Sequence, residues 1–425
     1  RTGLLAAALL AALPFHVRHS QYITVDVACA FMALLAIGAA LRILADGRWQ
    51  TYALAGLAAG LAASTKYHAG LVVLPIALAH LLAWRQASLR QGWRLGIAAL
   101  ASILAFVAAT PYALLTPQAF YRGIMIQYVD YRGGLHGNAL GRWPLGAYLR
   151  FFWTMGLGPL PTLAALLGVG VAVARRDRAA LVVLSFVAPF LLFFMVWPQH
   201  FWRNLMPIIP PLALFAAIGI DAVAARIASW SAAAWRTTEQ ACRERFASAA
   251  GWLIPLALAA LVAGGPLVRS IELDRYNLGD DARMLARSFI QSHLPRGAAV
   301  AAELSPPQLA GDPAIKPVMS LSDHDAGWYR ERGFRYLVVN GRYHVNDMRW
   351  RTAFAQLLST AALVARFDDR PAHNQIGGAT RLARSFASRF CDADVAVLDL
   401  QAQATAVPPP IHAELGKSAP CERSP

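Results

Sequence analysis

Two charged residues near the start of the chain stand in sequence that is otherwise apolar. Asp26 opens a long apolar run, and Lys66 lies in a short polar turn between two others. A charge at mid-membrane depth costs about 2.5–3.5 kcal/mol even on insertion scales, so such residues usually face a polar cavity. A lysine ammonium in that cavity is a candidate phosphate ligand. The structural alternatives are a helix N-terminal acid favoured by the helix dipole and a lysine that snorkels to the interface.

A third group of charges lies in the segment 116–149, where arginines alternate with aromatic residues. Outer loops are usually poor in arginine, and guanidinium groups suit phosphate oxygens, so a lipid phosphate is the expected anion. The alternative is a solvated amphipathic helix with interfacial aromatic anchors. The charged residues are Arg122, Asp130, Arg132, His136 and Arg142, and the aromatic residues are Tyr121, Tyr128, Tyr131 and Trp143.

The remaining polar patterns are weaker. Arg203 precedes a proline-rich helix start at 205–211 and is predicted to face the same cavity. The pair His16-x-x-His19 has metal-ligand spacing, but paired histidines near an interface are more often structural, and no metal or other cofactor is predicted. The sequences Asp323-His324-Asp325 and Asp392-Ala393-Asp394 resemble a DxD motif without nucleotide-binding context, and we interpret them as turn acids.

Long apolar segments must position these residues. A spanning helix needs about 20 residues, with a range of about 17–25, and several segments meet that length. We therefore predict a polytopic all-α membrane bundle over residues 1–270 with about nine membrane segments. These lie at about 2–15, 22–44, 51–65, 69–84, 95–115, 150–174, 179–197, 204–225 and 251–270.

Arginine clusters predict the orientation of these segments, because Lys and Arg accumulate in cytoplasmic loops. We interpret 51–84 as a hairpin that turns at 64–68, since one helix would place Arg48 and Arg85 on opposite sides of the membrane. Four polar segments then share the outer face, and the chain after residue 270 is periplasmic in a bacterium. The four segments are the turn 18–26, the Lys66 turn, the loop 116–149 and the loop 197–203.

The composition agrees with this division. The chain is 57% hydrophobic and 15% charged, which excludes disorder, collagen and a small disulfide scaffold. Its net charge of +15 belongs almost wholly to residues 1–270, which hold 21 Lys+Arg against 7 Asp+Glu. Because that excess lies largely in short loops, nucleic acid is not a predicted partner. The four cysteines lack zinc-finger spacing, although Cys391 and Cys421 could pair in a periplasm.

Residues 271–401 read as a small extracytoplasmic α/β domain. Asp280–His293 has helical spacing and is followed by Pro295-Arg296-Gly297. The short apolar runs 298–302, 336–340 and 395–400 are predicted strands. Residues 402–425, which include three consecutive prolines, are predicted to form a flexible tail.

Taken in order, these residues resemble the GT-C class of integral-membrane glycosyltransferases, in the protein O-mannosyltransferase and aminoarabinose-transferase family. The sequence Tyr22–Asp26 looks like the family's second acidic motif. Residues 56–67, which end in Thr65-Lys66-Tyr67, are similar to its glycine-rich helix. Residues 128–148 look like its long outer loop, and Arg203-Asn204-Leu205-Met206-Pro207 resembles its Arg-Tyr-Leu-Leu-Pro.

The resemblance implies inverting transfer of a sugar from a polyprenyl-phosphate carrier to a protein, lipid or glycan acceptor at the outer face of the bacterial cytoplasmic membrane. Asp26 is the implied catalytic residue, and it would organise the donor or acceptor side of the cavity. Lys66, Arg132 and Arg203 would stabilise the departing lipid phosphate, and His136 would contact sugar or phosphate. The implied substrate-binding set is Lys66, Tyr67, Asp130, Arg132, His136, Arg142 and Arg203.

The sequence departs from the family pattern at its beginning. In the family the principal catalytic acid lies in the first outer loop, between helices one and two. We expect this sequence to begin at the family's third helix, and Asp26 does not replace that acid. We therefore expect the acid to lie upstream of Arg1 and this chain alone to be inactive.

Two other functions fit parts of the pattern. A transporter or flippase of lipid-linked saccharides should carry charges through the bundle at mid-depth. A non-enzymatic scaffold would need only the outer domain and the Arg/aromatic loops. The clustering of polar residues at one face, followed by a large outer domain, favours the transferase.

Overall fold

A computed structural model of the chain describes residues 1–84, 92–133, 138–234, 240–277, 282–303, 315–318, 320–340, 357, 360–367 and 395–402. The chain divides into two compact units, Arg1–Ser270 and Ile271–Pro425. The first unit is built of apolar helices, and a five-stranded sheet forms the centre of the second.

Thirteen helices begin in the described part of the first unit, and each predicted apolar segment overlaps at least one of them. They are α1 (Thr2–Ala12), α2 (Pro14–Gln21), α3 (Val25–Asp46), α4 (Trp49–Thr65), α5 (Val73–Trp84), α6 (Trp93–Ala109), α7 (Tyr112–Leu115), α8 (Pro117–Gly133), α9 (Leu145–Phe151), α10 (Pro159–Ala174), α11 (Arg178–Met195), α12 (Ile209–Ala234) and α13 (Gln240–Asn277). The helices are joined by 3₁₀ segments at Tyr67–Val72 and Trp202–Ile208, a π turn at Phe152–Gly156, and a two-stranded ribbon of β1 (Asn138–Ala139) and β2 (Gln199–His200).

Several helices are long and apolar enough to cross a membrane. Within the described residues there are four, namely Val25–Asp46, Arg178–Met195, Trp202–Trp230 and Gly251–Arg275. The shorter apolar helices are Thr2–Ala12, Tyr67–Ala83, Trp93–Ala109 and Pro159–Ala174. The first unit is therefore the membrane-spanning bundle that the sequence predicts.

Two predicted segments are interrupted, and the interruptions have local causes. The segment 95–115 ends as a helix at Ala109 because Pro111 cannot continue the hydrogen-bond ladder. The segment 150–174 changes to a π turn after Phe151 and restarts only after Gly158, which has φ +96°. The first break is followed by the short helix α7, and the second is preceded by the short helix α9.

Helices α4 and α5 form the predicted hairpin. The Tyr52 hydroxyl, near the start of α4, lies 2.7 Å from Nδ1 of His80, near the end of α5. At the other end of α4, the Ser64 hydroxyl lies 2.7 Å from the Thr110 hydroxyl just after α6. The turn that carries Lys66 therefore lies at the same end of the bundle as the C-terminus of α6.

Glycines allow α4 and α6 to pack closely. A Cβ atom on Gly56 would lie 2.1 Å from the carbonyl oxygen of Ala98, and one on Gly60 would lie 2.2 Å from that of Ser102. Helix α10 approaches α12 in the same way through Gly168. Small residues at such positions allow membrane helices to associate through backbone contact.

The second unit is a small α/β domain, as predicted. Its sheet has the order β4 (Ile315–Val318), β3 (Val300–Glu303), β5 (Tyr336–Asn340), β7 (Val395–Asp399) and β6 (Ala362–Phe367). Strand β3 is parallel to β4 and β5, whereas β7 is antiparallel to β5 and β6. Helix α14 (Ala282–His293) packs on one face of the sheet, and the short α15 (Ala326–Glu331) packs on the other.

Three of these five strands correspond to predicted ones, and β4 and β6 were not predicted. Residues 278–281, at the predicted start of the first helix, lie outside the described residues, as does the predicted tail from 403 onward. Asp325 accepts a hydrogen bond from the Trp328 amide at the start of α15, so it is the turn acid that the sequence predicted. The pair Asp392 and Asp394 lies outside the described residues, as do Cys391 and Cys421.

Candidate functional site

Asp26 and Lys66 are placed side by side by two helix ends. Helix α3 begins at Val25 after an extended Thr24, so Asp26 lies in its first turn, where the helix dipole favours a carboxylate. Lys66 ends α4 in an extended conformation, before the 3₁₀ turn into α5. The Lys66 ammonium donates to Oδ1 of Asp26, whose side chain is only 2% exposed.

The ion pair continues into a chain of hydrogen bonds. The Lys66 ammonium also donates to the Asn204 carboxamide oxygen at 2.7 Å, and the Asn204 amide nitrogen donates to the Tyr131 hydroxyl at 2.5 Å. Asn204 is buried within the 3₁₀ segment before α12, and Tyr131 lies near the end of α8. We call Asp26, Lys66, Asn204 and Tyr131 the ion-pair cluster. It joins four elements that are far apart in sequence.

Aromatic rings surround the Tyr131 end of the ion-pair cluster. The Tyr131 ring centroid lies 5.4 Å from that of Phe201, 5.6 Å from that of Trp197 and 6.1 Å from that of Phe194. Burial raises the pKa of Tyr131 to about 12, so its hydroxyl keeps its proton at neutral pH. This hydroxyl therefore has a proton to donate while it accepts from Asn204.

Arg203 adds an exposed cation beside the cluster. Its guanidinium carbon lies 5.9 Å from the centroid of the Phe201 ring, and among the described residues it forms no ion pair with a carboxylate. Its charge acts on both Tyr131 and His19, which places it within electrostatic reach of the cluster. Within the described ion-pair cluster and its neighbour Arg203, two cations, Lys66 and Arg203, therefore accompany the carboxylate of Asp26.

Two histidines that the sequence did not assign to this site lie next to the cluster. Burial lowers the pKa of His19 to about 4, with Arg18, Arg203 and Lys66 acting in the same direction and Asp26 opposing them. Nδ1 of His19 and Nε2 of His68 are buried and have no hydrogen-bond partner within the described part of the chain. His68 packs against Phe190 and Phe194.

The structure brings some predicted site residues to the cluster and leaves others around it. Tyr67 is half exposed, and its ring contacts that of Phe120 at the start of α8 rather than the ion pair. The Arg132 guanidinium is exposed and lies 4.8 Å from the centroid of Tyr128. Asp130 is half buried on the same helix, and His136 lies outside the described residues.

Arg142 lies on a loop that is fixed to the end of α11. The Trp143 amide donates to the Met195 carbonyl at 2.7 Å, and the Gly141 amide donates to the Pro198 carbonyl at 3.2 Å. Arg142 itself is exposed and makes no contact with the ion-pair cluster in the described structure. This loop therefore borders the site without completing it.

Asn204 and Tyr131 are the functional candidates that the predicted residue set omitted. Asn204 follows Arg203 in the proline-rich motif, and Tyr131 precedes Arg132. In the sequence, the one feature that distinguishes them is that each stands next to a predicted site residue. His16 and His19 belong to no group of three or more potential metal ligands within the described residues.

This arrangement is suited to binding an anion. The ammonium of Lys66 is held in place by Asp26 and Asn204, while Arg203 remains exposed. Preorganised cations of this kind stabilise negative charge that develops on a departing group. The aromatic residues beside them add flat apolar surface to the site.

Comparison with known proteins agrees with the sequence resemblance. Residues 1–114 match the family described as dolichyl-phosphate-mannose-protein mannosyltransferase. Asp26 and Lys66 fall within the matched residues, whereas Tyr131, Arg203 and Asn204 come from sequence beyond them. No curated protein matches the chain.

A search of solved structures gives a more distant similarity. The chain is similar to the archaeal oligosaccharyltransferase AglB from Archaeoglobus fulgidus, solved in complex with an inhibitory peptide and a dolichol-phosphate. The TM-score is 0.39 and the sequence identity is 12%. The match covers 91% of this chain, which spans 62% of the length of the archaeal protein.

Proposed function

We propose that this protein transfers a sugar from a polyprenyl-phosphate-linked donor to an acceptor at the outer face of a bacterial cytoplasmic membrane. The observation that carries the proposal is the Lys66 ammonium, held between Asp26 and Asn204 beside the exposed Arg203. The name of the matching family includes a polyprenol-type phosphate sugar, dolichyl-phosphate-mannose, and supports a donor of that class.

The proposed chemistry assigns the phosphate to the cations. As the bond between the sugar and the phosphate oxygen breaks, Lys66 and Arg203 stabilise the charge on the departing polyprenyl phosphate, and Arg132 meets it from α8. Asp26 serves the reaction through Lys66, because its carboxylate holds the ammonium in position. A carboxylate base is needed for the acceptor hydroxyl or amine, and the family resemblance assigns it to the first outer loop.

The outer residues complete the proposed substrate path. Tyr67 and Asp130 lie on the hairpin turn and on α8, and Arg142 lies on the loop fixed to α11. We propose that these residues, with His136, contact the donor or the acceptor. The acceptor class remains one of three, a protein, a lipid or a glycan.

The residues at the two ends of the bundle support the proposed localisation. The hairpin turn, the start of α3 and the segment before α12 meet at one end of the bundle, where the ion-pair cluster forms. At the opposite end lie Arg48 and Asp46, next to the predicted cytoplasmic clusters. We propose that the cluster end faces the periplasm and that the C-terminal unit is periplasmic too.

A transfer assay tests the proposal. Membranes carrying the full-length protein, with the upstream sequence that we expect to hold the catalytic acid, receive a radiolabelled polyprenyl-phosphate sugar, and label in a new product is measured. We expect Lys66→Met to lower kcat/KM by about 10²–10³-fold, the range seen when one preorganised donor to a developing anion is removed. Lys316→Met, in the second unit, serves as the matched control and should retain wild-type transfer.

The assay also separates the transferase from the alternative lipid transporter. A transporter would move the intact labelled lipid across vesicles and form no new glycoside. Movement of intact lipid without product, or full transfer activity in Lys66→Met, would contradict the proposed function.

A further inference from the structure

A groove runs along the side of the membrane bundle, where α3 lies beside α4. Its volume is about 290 Å³. Its lining includes Phe31, Leu34, Leu35, Gly38 and Arg42 of α3 and Leu54 of α4. At 100° per residue the five α3 residues fall within a sector of about 100°, so they form one continuous stripe along that helix. Because α3 is long and apolar enough to cross a membrane, the stripe lies within a membrane span.

The groove is open to the surroundings of the bundle, and its walls are apolar. Phe31, Leu34, Leu35 and Leu54 are each between 41% and 55% exposed. Apolar side chains with this exposure on a membrane-spanning helix lie against acyl chains, which are as apolar as leucine. Gly38 lies among them, and a Cβ atom on it would meet nothing within 4 Å. A glycine inside a helix is destabilising relative to alanine, and no neighbouring helix requires this one, so the open space is available to a ligand.

The groove has the length of an acyl chain from one leaflet. Arg42 follows Phe31 by eleven residues, which is about 16 Å of helix. One leaflet contributes about 15 Å, half of the hydrocarbon core. Arg42 lies one turn before the end of α3 at Asp46, whereas Asp26 lies at the start of that helix. The leaflet in question is therefore the one opposite the ion-pair cluster.

Arg42 places a positive charge at one end of the groove. The carboxylate of Asp46 follows one helical turn later, but it accepts hydrogen bonds from the Thr51 hydroxyl at 3.0 Å and from the next loop amide, that of Arg48, at 3.1 Å. Arg42 is exposed and forms no ion pair within the part of the chain that the structure describes.

The depth of Arg42 in the membrane indicates what its partner is. Side chains on a helix lean toward its N-terminus, and for Arg42 that direction is toward the middle of the membrane. A charge that leans into the apolar region is costly without a counter-charge. The planar guanidinium donates two parallel hydrogen bonds to a phosphate, which is the anion that every phospholipid carries at this end of its acyl chains.

We propose that this groove binds an anionic phospholipid of the leaflet opposite the ion-pair cluster, with one acyl chain along Phe31, Leu35 and Gly38 and the phosphate on Arg42. Basic pockets between membrane helices recognise anionic head groups in this way. In phosphatidylethanolamine the lipid's own ammonium balances the phosphate, so a lipid with net negative charge binds more tightly. The inference concerns the surface of α3 and α4 and holds independently of the reaction catalysed.

Native mass spectrometry with lipid titration tests the role of Arg42. The whole protein, purified in detergent and stripped of lipid, is titrated with dioleoyl-phosphatidylglycerol or dioleoyl-phosphatidylethanolamine, and the Kd of the first bound lipid is measured. We expect phosphatidylglycerol to bind more tightly. Arg42→Gln should weaken its binding about fivefold, the effect of one basic residue beside an anionic lipid, and should remove the preference. Arg48→Gln is the matched control, because Arg48 is an exposed arginine at the same end of the bundle but does not line the groove.

A second variant tests the acyl-chain part of the site. Gly38→Phe should fill the groove and abolish the tight binding of the first phosphatidylglycerol, and the open space around position 38 should allow the variant to fold. Gly170→Phe in α10 is its control and should bind lipid as the wild type does. Gly170 is also an exposed glycine inside an apolar helix, and a Cβ atom on it likewise meets nothing within 4 Å. Thermal unfolding in detergent verifies that both variants are folded.

Several outcomes would overturn the proposal. Equal losses in Arg42→Gln and Arg48→Gln would show that lipid responds only to surface charge. Equal binding of the two lipids by the wild type would remove the anionic preference, and unchanged binding in Gly38→Phe would place the lipid elsewhere. A dimer that Gly38→Phe dissociates, without any dependence on lipid, would assign the groove to a second copy of the chain. Displacement of the bound phosphatidylglycerol by an equimolar polyprenyl phosphate would assign it to a polyprenyl tail.

Discussion

Asp26 is a carboxylate with almost no exposed surface, and within the described residues its one ionic partner is Lys66. Removing one member of a buried ion pair leaves an uncompensated charge and typically costs about 3–5 kcal/mol, whereas removing both is much less costly. We therefore expect Asp26→Asn and Lys66→Met each to lower the thermal stability of the purified protein strongly. The double variant should recover much of the loss, which a double-mutant cycle measures.

Asp46→Asn is the matched control for Asp26→Asn. Asp46 accepts its hydrogen bonds from the Thr51 hydroxyl and the Arg48 amide at the exposed opposite end of α3, so its loss should cost far less. Strictly additive losses in the double variant would contradict the view that the two buried charges stabilise each other.

His19 gives the site a pH dependence. Its folded-state pKa of about 4 is below the ordinary value of 6.5, so between these values the unfolded chain binds more protons than the folded one. The His19 contribution to stability is therefore complete above pH 6.5 and is lost as pH falls toward 4. We expect His19→Gln to flatten this part of the stability profile, measured by thermal unfolding at stepped pH. A profile unchanged by that substitution would mean that His19 is protonated or solvated in the folded protein.

Among single residues, the charged members of the site were easier to predict from the sequence than the neutral residues that hydrogen-bond to them. Asp26 and Lys66 could be predicted because a charge in apolar sequence is costly and therefore conspicuous. Asn204 and Tyr131 could not, because a neutral amide and a phenol are common at membrane interfaces, and their role depends on contacts across 138 and 73 positions of sequence. The same holds for the buried nitrogens of His19 and His68, which have no hydrogen-bond partner among the described residues. Their burial depends on how separate elements pack together, so the sequence alone does not predict it.

The close packing of helix α4 against helix α6 depends on two glycines. A Cβ atom at Gly56 or Gly60 would fall within about 2.2 Å of α6 backbone oxygen, so the helices would have to separate. We expect Gly60→Ala to destabilise the protein by about 1–3 kcal/mol, the usual cost of overpacking. Gly38→Ala in α3 is the control, because a Cβ atom there meets nothing within 4 Å and alanine favours a helix.

Thermal unfolding in detergent compares these variants. Equal stability of Gly60→Ala and Gly38→Ala would show that the close approach of α4 and α6 contributes nothing.

Helices were easier to predict than strands, for physical reasons that particular elements show. The apolar segments could be predicted because membrane spans are long, although the breaks at Pro111 and Gly158 were not predicted. Strand β4 was missed because Lys316-Pro317 interrupts its apolar pattern, and proline is tolerated there because β4 is an edge strand. Strand β6 is the other edge of the sheet and carries Arg366 within it. Strand β4 lacks the continuous apolar run that identified β3, β5 and β7, whereas β6 has one at 361–365 that was not predicted as a strand.

For the whole molecule, the proposed orientation predicts which surfaces meet which solution. Tyr67 is half exposed at the hairpin turn, and Arg48 is exposed at the opposite end of α4. We expect Tyr67→Cys to react with a membrane-impermeant maleimide added outside intact cells, and Arg48→Cys to react only after the inner membrane is permeabilised. Labelling of Arg48→Cys alone from outside would invert the topology and move the cluster to the cytoplasm.

The hairpin has a further consequence for how the protein is made. Under the proposed orientation, the tip of the α4–α5 hairpin must carry the Lys66 charge through the bilayer during insertion, at a cost of a few kcal/mol. Asp26 reaches the outer side earlier in the chain, so a counter-charge is already present when Lys66 arrives. The buried ion pair can form only when both segments have crossed. The ion pair therefore distinguishes a completely inserted chain from one whose hairpin has stalled. A stalled hairpin would leave Asp26 without its partner, and the chain would be open to quality-control proteases.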